Sequence, residues 1–390
     1  MTSEVAPCMP FNWFRRASGW SGSGGGLMTG EGAQNRANDI CHRLEEALDS
    51  LDRVDTEHAD AATLKRLSQD VKKQLQALLE VLQEAERGAG GEMQISVVKA
   101  WLAKFLATDL PKRLAQHLIQ LEFEVRNDVV TVFSHVVRIG ALADVELMKE
   151  YCTDPAFFQL LVKGYETPEI ATHCGMMLRS CAREEKLVQA FLDKMELVLN
   201  LMKYTRHEEF EISTDAFASL HDFLLNHHDI SAEFLEGNFR PFFTCYNKLL
   251  EEGDYVTKRQ ALKLLSDLLL ARKFMRIMLT YIGDDSYLQL HMNLLRDESK
   301  TIQVEAFHVF KIFVANPSRP PRVQAILFKN KERLVNLLKE LTPHRSDDKQ
   351  FLEDMKTVLA KLEALEAPVR NPGGYQGGSA EPGSPKRETS

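Results

Sequence analysis

The chain has 390 residues, 44% of them hydrophobic and 27% charged, with a formal net charge of −8. That length suffices for a large core or for several stacked units, and the acidic balance argues against nucleic acid as the general partner. No apolar run nears the ~20 residues that a membrane span needs. The six cysteines, Cys8, Cys41, Cys152, Cys174, Cys181 and Cys245, form no close ligand pairs; buried thiols in a reducing, cytoplasmic setting are the expectation.

Residues 1–36 carry MPFNWFRR and then a Ser/Gly tract, a composition that predicts a flexible leader. No hydrophobic signal core follows the aromatic stretch, and no Gly-Lys-Ser/Thr follows the glycines, so a phosphate loop is excluded. From Asn38 the pattern turns helical: Ile40, Leu44, Leu48 and Leu51, then Leu64, Val71, Leu75, Leu78, Leu79 and Leu82. Arg87–Gly91 interrupts it, and helical periodicity resumes near Val97 and continues to about Leu365. Residues 367–390 are again Gly/Pro/Ser-rich, a predicted disordered tail. No alternating strand pattern occurs. The expectation is an all-α chain with a repeat domain over 37–366.

Five segments superpose, beginning at Phe123, Pro168, Phe210, Tyr255 and Thr301. Aligning their small or compact residue gives Val129, Gly175, Ala216, Ala261 and Ala306, separated by 46, 41, 45 and 45 residues. A unit of ~40–47 residues built from two or three helices is the armadillo/HEAT class. One helical hairpin cannot bury its apolar stripe alone, whereas stacked neighbours bury a continuous one. The predicted architecture is therefore an armadillo/HEAT-like helical-repeat solenoid, a right-handed superhelix. Pro155–Val162, Lys186–Met202 and Glu233–Leu250 are expected to form its outer layer.

An enzyme would show a constellation of catalytic groups, and none is present. His227 and His228 adjoin Asp229, but adjacent helical side chains point apart, so a capping or solvated role is the reading. His308 lies beside an apolar face and reads as packed. Asp284 and Asp285 before Ser286 read as a helix start, without the oxygen-rich spacing of a calcium loop. What remains points to binding. Arg259 and Lys263 share a face one turn apart, and Arg272, Lys273 and Arg276 extend the basic run, against Asp267 alone. Phe210 and Tyr255 precede equivalent helices, where packing as a hydrophobic staple is the first expectation. Met292 and Phe307 read as core, with a peptide groove as the alternative. Ser384-Pro385-Lys386-Arg387 in the tail is a short match to a phosphorylation motif.

KGYETPEIATHCGMMLR (163–179), SAEFLE (231–236), YVTKRQALKLL (255–265) and MNLLRDESKTIQVEAFHVFKIFVANP (292–317) closely resemble the calcium-binding protein 39 scaffold family. The resemblance is close over about 150–340, looser over 37–150, and absent from both tails. It implies a non-enzymatic helical-repeat scaffold that needs no cofactor. The implied partners are the pseudokinase STRAD with liver kinase B, Sterile-20-type kinases and nuclear-Dbf-related kinases. It further implies that a concave partner-binding face maps onto Phe210, Tyr255, Arg259, Lys263 and Arg272. A Phe of the family aligns with Met275, while Phe274 sits one position earlier, a turn of about 100° on a helix. Met292 matches a residue lining the pocket for the pseudokinase's C-terminal Trp-Glu-Phe tail; apart from the resemblance, Lys311 on the following repeat is expected to meet that tail's acid or carboxylate. No metal site is expected, and a monomer is. The alternative is an importin-like transport adaptor, which should carry Trp and Asn ladders on its inner helices. The three tryptophans, Trp13, Trp20 and Trp101, lie in none of the five aligned segments.

Overall fold

The computed structural model describes residues 30–54, 60–87, 95–341 and 348–367. Residues 1–29 of the predicted leader and the tail from 368 onward lie outside the described residues. Every regular element among the described residues is helical. Two compact units divide the chain between Phe191 and Leu192.

The first unit runs α1 (Gly30–Asp52), α2 (Ala61–Arg87), α3 (Ile95–Ala107), α4 (Leu110–His117), α5 (Phe123–Thr153), α6 (Pro155–Lys163) and α7 (Pro168–Cys181), with α8 (Glu185–Leu192) ending at the boundary. Residues 30–36, grouped with the leader by composition, thus belong to the first helix. The apolar stripe Ala37, Ile40, Leu44 and Leu48 is buried there, and its burial outweighs the low helix propensity of Gly30 and Gly32. Trp101 is buried and donates its indole N–H to Cys41 Sγ at 3.1 Å. Burial pushes the Cys41 thiol up to about 11, which makes it inert. α5 leaves helical angles at Asp144. There the carboxylate caps Leu147 N at 3.2 Å and pairs with Lys99 at 2.7 Å.

The second unit runs α9 (Met195–Tyr204), α10 (Phe210–Leu225), α11 (His228–Gly237), α12 (Phe239–Glu252), α13 (Tyr255–Leu270), α14 (Met275–Ile282), α15 (Asp285–Leu294), α16 (Lys300–Ala315), α17 (Pro321–Leu341) and α18 (Lys349–Glu363). Two stretches expected as single outer helices are each two. Lys186–Met202 breaks at Lys194, which has φ −114° and ψ 85°. Glu233–Leu250 breaks at Asn238, whose side chain caps Phe234 O at 2.9 Å. Gly237 and Asn238 end the helix readily at the second break, yet the apolar period runs on across both breaks and hides them.

The five aligned segments are α5, α7, α10, α13 and α16, and Val129, Gly175, Ala216, Ala261 and Ala306 are all buried. A small side chain there lets each helix approach its neighbour: α5 packs on α7 in one unit, and α13 packs between α10 and α16 in the other. Side-chain hydrogen bonds repeat the same spacing. Ser134–Ser180 (2.7 Å) and Gln260–Thr214 (3.2 Å) each join residues 46 apart, and Arg240–Asp284 (2.9 Å) joins residues 44 apart.

Candidate partner-binding surfaces

α13 starts where it does because Asp254 caps it, accepting from Thr257 N at 2.7 Å. That backbone hydrogen bond holds the Asp254 carboxyl below its ordinary range. Gly253 just before it is required: a Cβ there would lie 2.3 Å from Leu249 O. The start fixes which face is wet. Ala261, Leu264, Leu265 and Leu268 are buried, while Tyr255, Arg259, Lys263, Asp267 and Leu270 form the exposed stripe.

Of the six cations between Lys258 and Arg276, three are ion-paired: Lys258 with Asp297 (3.6 Å), Lys273 with Asp229 (2.6 Å) and Arg276 with Glu236 (3.5 Å). Arg259, Lys263 and Arg272 are exposed and form no ion pair with another described residue. Phe210 and Tyr255, the first residues of α10 and α13, are 63% and 50% exposed. Each keeps at least half of its surface open to solvent.

The offset at 274–275 has a structural basis. Phe274 is fully buried, its ring edge-on to His228 at 5.3 Å, while Met275 is 52% exposed. Leu279, one turn beyond Met275, and Leu270 at the end of α13 are also more than half exposed. Sequence reasoning missed both, because each lies within an apolar run that looks like core.

Met292 is half-buried and lines a surface cavity of about 290 Å³ between α15 and α17, with Leu334 and Leu337 as apolar neighbours. Arg296 and Arg333 flank it, exposed and without an ion pair to any described residue, with Glu340 on the same lining; neither arginine was singled out from the sequence. Lys311 does not line this cavity. It pairs with Asp354 of α18 at 2.5 Å, and Gln350 donates to the same carboxylate at 3.1 Å. α15 itself is pinned from below. Tyr281 donates to Asn247 Oδ1 at 3.0 Å and accepts from His291 Nε2 at 3.1 Å, all three buried.

The remaining polar suspects have structural roles. Asp284 caps α15 through Ser286 N at 3.0 Å and holds Arg240. His308 packs among Phe307 and Phe351. Among the described residues no group of three or more His, Cys, Asp or Glu side chains could hold a metal ion, and no helix is long and apolar enough to cross a membrane.

The Mo25-like family model matches residues 27–366. A mouse protein named calcium-binding protein 39-like is 38% identical over 301 residues, 77% of this chain and 88% of that one. The degreening-related dee76 protein of Auxenochlorella protothecoides is 36% identical over 83% of this chain and 98% of its own. A computationally designed armadillo repeat protein for peptide recognition overlays 65% of this chain and 99% of its own, at 14% identity and a TM-score of 0.42. The calcium in the mouse protein's name finds no matching group of ligands among the described residues here. On the family match and the identities across most of its length, this chain belongs to the Mo25-like family.

Proposed function

We propose that the chain is a non-enzymatic scaffold that binds a protein kinase or pseudokinase in its active-like conformation and so shifts its population. The observation carrying this reading is the exposed stripe of α13. Arg259 and Lys263, with Arg272 just beyond, form no ion pair with another described residue in a chain of net charge −8, framed by the exposed Phe210, Tyr255 and Met275. Aromatic and Arg side chains left wet and unpaired are the composition of interface hot spots, and the cations select an acidic partner face. A scaffold shifts a kinase only by its differential affinity for the two states, and a wide surface touching both lobes supplies that difference. The partners are the classes implied by the resemblance: STRAD-like pseudokinases with liver kinase B, Sterile-20-type kinases and nuclear-Dbf-related kinases. The Met292 cavity takes an apolar, carboxylate-ended tail such as Trp-Glu-Phe, with Arg296 and Arg333 as its cations. Lys311 joins them only by leaving Asp354. The scaffold acts as a cytoplasmic monomer.

The test is purification of the tagged protein from its own cells, followed by titration of the recovered kinase domain. A kinase or pseudokinase should co-purify stoichiometrically and lose affinity with Arg259→Ala. Cargo and nuclear-pore proteins without any kinase would overturn the reading in favour of a transport adaptor.

A further inference from the structure

One helix pair away from the Met292 cavity, between α12 and α15, lies a second groove of about 460 Å³. It is the same groove built one repeat earlier. Leu290 and Gln289 of α15 stand in it where Leu334 and Arg333 of α17 stand in the first, 44 residues on. Glu251 stands where Arg296 does, 45 residues on. α15 is shared: it forms the far wall of one groove and the near wall of the other. The construction repeats, but the polarity inverts. The first groove displays two guanidiniums, Arg296 and Arg333, against one carboxylate, Glu340, and neither guanidinium forms an ion pair with another described residue. The second displays Glu251, exposed and unpaired among the described residues, while its one cation, Lys258, is already paired with Asp297 at 3.6 Å.

The second groove also offers a grip on main chain. Gln289 and Asn293 are exposed, four residues apart on α15, and their carboxamides make no side-chain hydrogen bond with another described residue. Four helical residues rise about 6 Å, close to the roughly 6.6 Å over which an extended chain repeats its outward-facing groups. A carboxamide both donates and accepts, so the pair matches two successive peptide units on one edge of an extended segment.

We propose that this groove is a second peptide seat, across α15 from the Met292 cavity, which takes the basic, extended segment preceding an apolar, carboxylate-ended terminus. The proposal rests on the reading of the Met292 cavity as a tail pocket. Gln289 and Asn293 hold the segment's main chain, and Glu251 selects a Lys or Arg side chain. The two grooves together read a dipolar strand: positive upstream, apolar and negative at its end.

The test uses the full chain and synthetic peptides. One is acetyl-Trp-Glu-Phe alone. The others carry the same end behind an extension of about eight residues, roughly 26 Å when extended, bearing either Lys or Glu among Gly and Ser. On the wild type, the Lys extension should bind about tenfold tighter than the short peptide, and the Glu extension no tighter. Gln289→Ala with Asn293→Ala should remove the gain, and Glu251→Lys should reverse the preference. Neither change should alter binding of the short peptide or the melting temperature. If the short peptide binds and extensions add nothing, this proposal fails alone. If the short peptide does not bind, the tail-pocket reading fails and takes this one with it. A Glu251→Lys variant that turns a dimer into a monomer in sedimentation would mark the groove as an interface between copies and overturn the proposal.

Discussion

Lys311 and Asp354, 43 residues apart on α16 and α18, hold each other at 2.5 Å with side chains only about one-fifth exposed. A cation so held is not available to a partner without displacing its own acid. Asp354→Asn should therefore free Lys311 and raise affinity for a carboxylate-ended peptide severalfold. It should also lower stability by about 1–3 kcal/mol, because a largely buried ammonium loses its counter-charge. Peptide titration beside urea unfolding checks both. Unchanged affinity would remove Lys311 from the tail-binding surface.

The unpaired and paired cations should part company on mutation. Arg259→Ala should cost about 1–3 kcal/mol of partner binding, and the loss should shrink with added salt where the contact stays exposed. Arg276→Ala removes a side chain already engaged by Glu236 and should cost under about 1 kcal/mol. Equal losses would mean that ion pairing within the chain does not decide which cations serve the partner.

Adjacent residues should likewise behave as opposites at 274 and 275. Phe274→Ala empties a fully buried site and should destabilise the fold by about 3–5 kcal/mol. Met275→Ala trims an exposed side chain, and its effect on unfolding should stay within about 0.5 kcal/mol while partner affinity falls. Thermal unfolding with a binding titration separates the two. A large drop in melting temperature for Met275→Ala would return that residue to the core.

His291 gives the fold a pH dependence of known sign. Its ring is fully buried beside Tyr281 and Phe313, and burial lowers its pKa from 6.5 to about 3. The unfolded chain binds a proton below pH 6.5 that the folded chain refuses. This contribution is therefore complete above pH 6.5 and erodes as pH falls toward 3. Between pH 7 and 5 it amounts to about 2 kcal/mol. His291→Gln should lose that much less stability than the wild type over the same interval. Parallel losses in urea unfolding at the two pH values would assign the acid sensitivity to other groups.

The repeat was legible because stacking imposes a residue type at a fixed spacing: Ala216, Ala261 and Ala306 are small because helices meet there. Arg259, Lys263 and Arg272 were legible as a basic run, since charge is local to the sequence. Their lack of ion pairs was not, because pairing depends on acids such as Asp229, Glu236 and Asp297 brought from other helices. Leu270 and Leu279 were illegible for the converse reason: exposure is set by whether another helix covers a face, and no described helix covers these. Arg296 and Arg333 gained meaning only once α15 and α17 set them around Met292.

The hydrogen bonds that join one repeat to the next each span about the length of one repeat, as at Ser134–Ser180 and Gln260–Thr214. Order in such a chain spreads by adjacency, each finished repeat templating its neighbour. The protein can therefore acquire structure from its N-terminal side while still being synthesised. Damage is equally local: a cut within one repeat frays the repeats beside it before the rest.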